Sequence, residues 1–113
     1  MIIVTGAAGF IGSRLAERLN LHNYNDLVLV DDFSRADKKA NYHQIKCSQK
    51  VERTEFPQWL RENENQVQFI FHLGARTDTT EQDVEVFNTL NLNYSKEIWN
   101  LCVEFVIALI YAS

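Results

Sequence analysis

The sequence lacks the features that mark several classes of protein. It has no block or stripe of lysine and arginine, and 15 acidic against 11 basic residues give a net charge of −4. This balance argues against nucleic acid as a partner. No apolar run is long enough to span a bilayer, and the sequence after Met1 has neither the basic flank nor the cleavage pattern of a signal peptide. We therefore expect a cytoplasmic protein that contacts neither nucleic acid nor membrane.

Cysteine is also scarce. Cys47 and Cys102 show no paired spacing of the kind that metal ligands have. We expect two reduced thiols rather than a disulfide or a zinc site, and the sequence predicts no metal site. The length of 113 residues, with 46% hydrophobic and 23% charged residues, fits a single soluble unit.

Glycine is scarce too, yet three of the four glycines fall within the first twelve residues. An apolar strand from Met1 runs directly into a turn that contains Gly6, Gly9 and Gly12. In such a turn the first glycine permits a tight bend, the second lets a phosphate approach the backbone, and the third lets the next helix pack closely. The amides at the start of that helix would face the pyrophosphate of a dinucleotide.

The following residues supply the context that a dinucleotide-binding turn requires. Ile11, Leu15 and Leu19 recur at helical spacing, which predicts an amphipathic helix. The apolar run Leu27–Val30 is typical of a parallel strand buried on both faces. Asp31 ends that strand about 20 residues after the turn, where a carboxylate can bind an adenosine ribose. The alternative is an ordinary strand–helix–strand unit with a solvated Asp31.

Strands and helices alternate along the rest of the chain, which predicts an α/β fold with a doubly wound parallel sheet. We expect strands near 45–51, 67–72 and 106–111, and a long helix from about Asn91 to Phe105. His72, at the end of the fourth strand, is expected to be a packed histidine rather than a general base.

The last predicted strand carries no charge and would form an adhesive edge unless something covers it. The loop that should follow it and help to build the ligand site is missing. We therefore expect residues 1–113 to be the N-terminal part of a dinucleotide-binding domain whose C-terminal substrate domain is absent. The alternative is a complete small domain with a partner over its edge.

Four stretches resemble the extended short-chain dehydrogenase/reductase family: Thr5–Gly12, Val30–Asp32, Phe71–Ala75 and Tyr111–Ser113. Within that family, the segments Gly74–Glu81 and Asn91–Glu97 are most similar to the ADP-glyceromanno-heptose 6-epimerases. The resemblance spans essentially the whole chain but only the front part of such an enzyme.

The resemblance implies a cofactor site built from the glycine turn, the strand ends and two basic groups. Its candidate residues are Gly6, Gly9, Phe10, Ile11, Gly12, Asp31, Asp32, Lys38, Arg53, Leu73, Gly74, Ala75, Arg76, Thr77 and Asn91. Phe10 and Ile11 would lie in the turn around the phosphates, and Asp31 with Asp32 on the adenosine side.

The sequence gives opposing indications of whether the cofactor is NADP or NAD. The resemblance implies NADP, whereas Asp31 by itself suggests NAD, because a carboxylate would repel a 2′-phosphate. Lys38, Arg53 and Arg35 carry positive charges that could offset this repulsion. Each of these side chains is equally well interpreted as solvated surface charge.

The resemblance further implies epimerisation at C6 of an ADP-linked glycero-manno-heptose, by nicotinamide chemistry and a Tyr-x-x-x-Lys acid–base pair. It places no catalytic residue within these 113 residues, so we expect weak dinucleotide binding and no turnover. In the full-length enzyme the partner would be a nucleotide-sugar substrate, and a homo-oligomer is left open. The alternatives are another sugar-nucleotide epimerase or dehydratase, such as one acting on UDP-hexose, and a non-catalytic dinucleotide-binding module.

Overall fold

The computed structural model describes residues 1–34, 38–73 and 84–112, with the side chains of 84–92 and 112 outside that description. Strands and helices alternate along these residues. In chain order they are β1 Ile2–Thr5, α1 Phe10–Leu21, β2 Leu27–Asp31, α2 Lys39–Tyr42, β3 Gln49–Glu52, α3 Phe56–Asn63, β4 Phe69–Leu73, α4 Val84–Phe105 and β5 Ala108–Ala112.

The strands form one parallel sheet in the order β3-β2-β1-β4-β5. β1 is the central strand and pairs with β2 on one side and with β4 on the other. The chain therefore builds one half of the sheet outward from β1 and then returns to build the other half. Doubly wound sheets bind ligands where the order reverses, beyond the carboxyl ends of the strands. The predicted fold class is confirmed.

Each face of the sheet is covered by its own helices, which explains why the strands are apolar on both sides. Ile3 lies in a core between the sheet and the helices α3 and α4, together with Ile70 and Ile98. The next residue, Val4, lies in the opposite core, which α1 and α2 close. Successive strand residues point to opposite faces, so β1 contributes to both cores.

The structure corrects several predicted boundaries. β3 is the short strand Gln49–Glu52, and β4 begins at Phe69, two residues later than predicted. α4 begins at Val84, ahead of the predicted start at Asn91. β5 begins at Ala108.

Val106 explains why β5 begins later than the apolar run suggests. Its φ of 55° is in the left-handed region, which is unfavourable for a β-branched residue. The Ile107 N–H donates to the Cys102 carbonyl at 2.9 Å, a hydrogen bond that closes the C-terminus of a helix. Val106 therefore ends α4 instead of starting a strand.

β5 lies at one edge of the sheet, and its outer side chains are exposed. Ile110 is 46% exposed and Tyr111 is 54% exposed. Next to this strand is a groove of about 480 Å³, lined by Trp99, Cys102, Val103, Val106, Ile107, Ala108 and Leu109. In this structure the predicted apolar edge faces solvent.

Candidate functional site

The turn between β1 and α1 is packed too tightly for side chains at two of its glycines. Gly6 has a φ of +68°, and a Cβ there would lie 2.6 Å from the Leu73 carbonyl oxygen. A Cβ at Gly12 would overlap the Gly6 carbonyl oxygen and lie 2.7 Å from its carbon. A Cβ at Gly9 would only touch the Gly6 oxygen, at 3.3 Å. Gly6 and Gly12 are therefore required by the protein itself, whereas Gly9 borders open space.

The first turn of α1 presents backbone amides that have no hydrogen-bond partner among the described residues. Gly9 is the N-cap, no side chain caps the helix, and its first turn contains no acidic residue. The helical hydrogen bonds begin with the Ser13 N–H, which donates to Gly9 at 2.9 Å, so the amides of Phe10, Ile11 and Gly12 precede the ladder. Amides in this arrangement bind phosphate groups. Ile11 is 53% exposed, although it shares the helical spacing of Leu15 and Leu19.

Asp31 is joined to the glycine turn by a hydrogen bond. Its Oδ2 accepts from the Ala8 N–H at 2.8 Å, and its Oδ1 accepts from the Asp32 N–H at 2.6 Å. Each carboxylate oxygen still has a lone pair that can accept from a hydroxyl group. Asp32 is exposed, and its Oδ1 accepts from the backbone N–H and the hydroxyl of Ser34. Contacts between these carboxylates and a ribose stay a prediction.

Lys38 is half-buried and immediately precedes α2. This one-turn helix contacts the glycine turn, because the Nδ2 of Asn41 donates to the Ala8 carbonyl at 2.9 Å. Sequence reasoning missed Asn41, since the polar stretch around it has no periodicity that would single it out. Lys38 lies three residues before Asn41 in the chain, at the start of the helix that makes this contact.

Arg53 reaches the same edge of the sheet from the other face. Its backbone N–H donates to the Asp31 carbonyl at 3.0 Å, and its guanidinium carbon lies 4.4 Å from the ring centroid of Tyr94. The Tyr94 hydroxyl donates back to the Arg53 carbonyl at 2.9 Å. Burial raises the pKa of Tyr94, and the positive charge of Arg53 opposes this effect. Arg53 is therefore packed against α4, whereas Lys38 belongs to the side of the glycine turn.

His72 forms a buried polar connection between the sheet and α4. It is 3% exposed and in register with Thr5 on β1. Its Nδ1 lies 2.7 Å from the Thr5 hydroxyl oxygen and its Nε2 lies 2.9 Å from the Ser95 hydroxyl oxygen. A neutral imidazole donates one such bond and accepts the other. Burial, with the charge of Arg53 as a smaller cause, lowers the pKa of His72 to about 4. The expectation of a packed histidine is confirmed.

The other predicted site residues are placed only in part. Leu73 ends β4, with its carbonyl beside Gly6. Asn91 lies in α4, where the backbone alone is described. The candidates outside the described residues are Arg35, Gly74, Ala75, Arg76 and Thr77.

Tyr42 and Lys46 have the Tyr-x-x-x-Lys spacing in the sequence, but the structure does not present them as a catalytic pair. Tyr42 is 7% exposed and lies in the core beneath α1 and α2, with its ring centroid 5.0 Å from that of Phe33. Lys46 is exposed, and its backbone is bonded to the side chain of Asn20. Tyr42 therefore serves packing.

Two other kinds of site were sought in the described part of the chain. No group of three or more His, Cys, Asp or Glu side chains there is arranged to hold a metal ion. Over the same residues, no helix combines the length and the apolar character needed to cross a membrane.

Comparison with known proteins agrees with this geometry. The model of the NAD dependent epimerase/dehydratase family matches residues 2–113. The chain belongs to this family. Among relatives named ADP-L-glycero-D-manno-heptose-6-epimerase, the protein of Fusobacterium nucleatum is 36% identical over 115 residues, covering 100% of this chain and 35% of the relative. The protein of Cupriavidus pinatubonensis is 42% identical over 113 residues, covering 99% of this chain and 34% of the relative.

A solved member of the epimerase family has a similar fold. The Helicobacter pylori ADP-L-glycero-D-manno-heptose-6-epimerase superposes with a TM-score of 0.79 at 27% identity, covering 99% of this chain and 38% of that chain. The chain therefore spans little more than a third of the length of these relatives.

The two glycines Gly9 and Gly12 should respond differently to alanine. Gly12→Ala places a methyl group on the Gly6 carbonyl, and we expect it to cost about 2 kcal/mol or more of unfolding free energy. Gly9→Ala meets only one contact at 3.3 Å, so it should keep most of the stability but lose affinity for dinucleotides, because its methyl group borders the phosphate position. Urea unfolding and titration with NAD and NADP measure both effects. Equal stability losses would contradict this account of the turn.

His72 should make the stability of the protein depend on pH. Because its pKa falls from 6.5 to about 4 on folding, unfolding takes up a proton between these values, and stability decreases as the pH drops through this range. By pH 4 the loss should be on the order of 2–3 kcal/mol for the shift from 6.5 to about 4.

Urea unfolding from pH 7 to pH 4 measures this loss. His72→Gln, which retains a donor and an acceptor, should flatten the pH dependence, and the exposed His22→Gln should leave it as in the parent protein. A parent-like slope in His72→Gln would show that other groups cause the loss.

Proposed function

We propose that this chain binds NADP and forms the cofactor-binding part of a protein that inverts C6 of an ADP-linked glycero-manno-heptose. The observation that carries the proposal is the joined carboxyl edge of the sheet, where Asp31 is hydrogen-bonded to the glycine turn at Ala8. Phosphate-binding amides and a ribose-binding carboxylate then belong to one rigid unit.

In this proposal, different described residues bind different parts of the cofactor. In this proposal the pyrophosphate lies on the free amides of the first turn of α1, and the adenosine ribose lies against Asp31. The carbonyl of Leu73 packs on Gly6, which brings the end of β4 against the turn and aligns the cofactor along the crevice between β1 and β4.

Positive dipoles and charges around Asp31 favour NADP over NAD in this proposal. Both of its oxygens accept backbone N–H groups, and these dipoles reduce the repulsion that the carboxylate exerts on a 2′-phosphate. Lys38 adds a positive charge from the side of α2, and phosphate groups bind such charges strongly.

The names of the relatives support the heptose substrate. Proteins 36% and 42% identical to this chain are named ADP-L-glycero-D-manno-heptose-6-epimerase, which favours ADP-heptose over a UDP-hexose. When bound, the nicotinamide supplies hydride transfer to and from carbon. The described residues bind and orient the cofactor, and we propose that the acid–base groups and the sugar-binding surface belong to the remainder of a longer protein.

Lys38→Ala tests the cofactor assignment. We expect it to weaken NADP binding by roughly tenfold, the effect of one charge-assisted hydrogen bond, while NAD binding changes less than about twofold. Titration calorimetry on the 113-residue chain measures both affinities. The neighbouring residue Lys39 is exposed and gives the matched control. Lys39→Ala should leave both affinities unchanged. Equal losses for NAD and NADP in Lys38→Ala would contradict contact with the 2′-phosphate.

A hybrid enzyme tests the substrate. The chain would replace the matching 115 residues of the Fusobacterium nucleatum relative, and the C6 epimers of ADP-heptose would be separated after incubation with NADP. We expect interconversion of these epimers and no change in UDP-hexose, with Gly9→Val in the hybrid as the inactive control. A folded hybrid that binds NADP but leaves ADP-heptose unchanged would contradict the proposal.

A further inference from the structure

We propose that Asn41 is a positioning residue of the cofactor site, which fixes the glycine turn in the conformation that binds the pyrophosphate. The inference rests on the proposed dinucleotide site and adds to it a residue outside the glycine turn and the strand ends. The contact that supports it is the hydrogen bond from the Asn41 Nδ2 to the Ala8 carbonyl, at 2.9 Å.

Ala8 is held at both of its backbone polar groups. Its N–H donates to the Asp31 carboxylate at 2.8 Å, and its carbonyl accepts from Asn41. The two bonds fix the peptide planes on either side of Ala8, directly before Gly9. The Gly9 N–H in turn donates to the Gly6 carbonyl at 3.1 Å. Asn41 and Asp31 therefore determine together how Gly9 enters α1.

Ala8 is buried, and its carbonyl accepts a hydrogen bond from the Asn41 side chain. Ala8 is 0% exposed and lies in the core beneath α1 and α2. A buried carbonyl that loses its partner destabilises the conformation that buries it. Asn41 itself is exposed, so without its side chain the carbonyl would bond to water, which does not join the turn to α2 as the amide does. The conformation of the turn is thus coupled to this side chain.

α2 is able to hold Asn41 in place although it is a single turn. Short helices are not stable by themselves, and this one is anchored by Tyr42, which is buried and packs edge-on against Phe33. Ile45 follows in the same core, and its N–H donates to the Tyr42 carbonyl at 3.0 Å. Asn41 therefore projects from an anchored element, and its removal should leave α2 in position.

A turn fixed before the cofactor arrives binds it more tightly, because less conformational entropy is lost on binding. Asn41 should consequently matter most for ligands that use the turn. Adenosine diphosphate carries the diphosphate, whereas adenosine 2′-monophosphate lacks it and depends on the Asp31 and Lys38 side of the site. The ratio of the two affinities separates positioning of the turn from a general loss of structure.

The test compares Asn41→Ala with the matched control Asn63→Ala in the 113-residue chain, using nuclear magnetic resonance. Asn63 makes the same kind of bond, from its Nδ2 to the Trp59 carbonyl at 2.8 Å, at the end of α3. We expect Asn41→Ala to weaken binding of adenosine diphosphate by roughly fivefold to tenfold, the effect of one hydrogen bond, with adenosine 2′-monophosphate changed less than about twofold. Asn63→Ala should leave both affinities unchanged.

Amide exchange without ligand gives an independent result. In Asn41→Ala the amides of Ala8 and Gly9 should exchange roughly tenfold faster, whereas in Asn63→Ala they should match the parent chain. Unchanged exchange at these amides, or equal loss of affinity for both nucleotides, would overturn the role of Asn41. If the parent chain binds neither nucleotide, the proposed function fails, and the exchange rates alone decide whether Asn41 holds the turn.

Discussion

The carbonyl group of Gly6 is the point on which the arrangement of β1, α1 and β4 depends. It accepts the Gly9 N–H at 3.1 Å, and Gly12 packs directly on it. On its other side Gly6 approaches the Leu73 carbonyl so closely that a Cβ would lie 2.6 Å from that oxygen. These close backbone contacts therefore limit both the angle of α1 on the sheet and the approach of β4.

Much of the fold follows from local sequence, because the signals are short in range. The glycine spacing, the helical period of α1 and the apolar run ending at Asp31 each concern neighbouring residues, and the structure has the corresponding turn, helix and strand. Buried parallel strands separated by helices leave few alternatives for the sheet. The prediction of strand ends was poorer. Val106 is apolar and β-branched, yet it lies in a left-handed helix terminus, which hydrophobicity does not reveal.

The candidate site was less predictable from sequence, because its supporting contacts join residues far apart in the chain. Asn41 meets Ala8 across 33 residues, and His72 meets Thr5 and Ser95 across 67 and 23. No local spacing marks such pairs. Only the register of the strands brings Thr5 beside His72. The same limit explains Tyr42 and Lys46, whose spacing resembles a catalytic pair although one is buried and the other exposed.

The central position of β1 also has a consequence for the order of folding. β1 and β2 are separated by one short helix, so they can associate while later parts of the chain are still unfolded. β4 joins β1 only after a loop between residues 67 positions apart has closed, and closing longer loops costs more chain entropy. The glycine turn is encoded in the first twelve residues. The Leu73 carbonyl that packs on Gly6 nevertheless belongs to β4, so a nascent chain completes the packing of this turn only after β4 has been synthesised and has paired with β1.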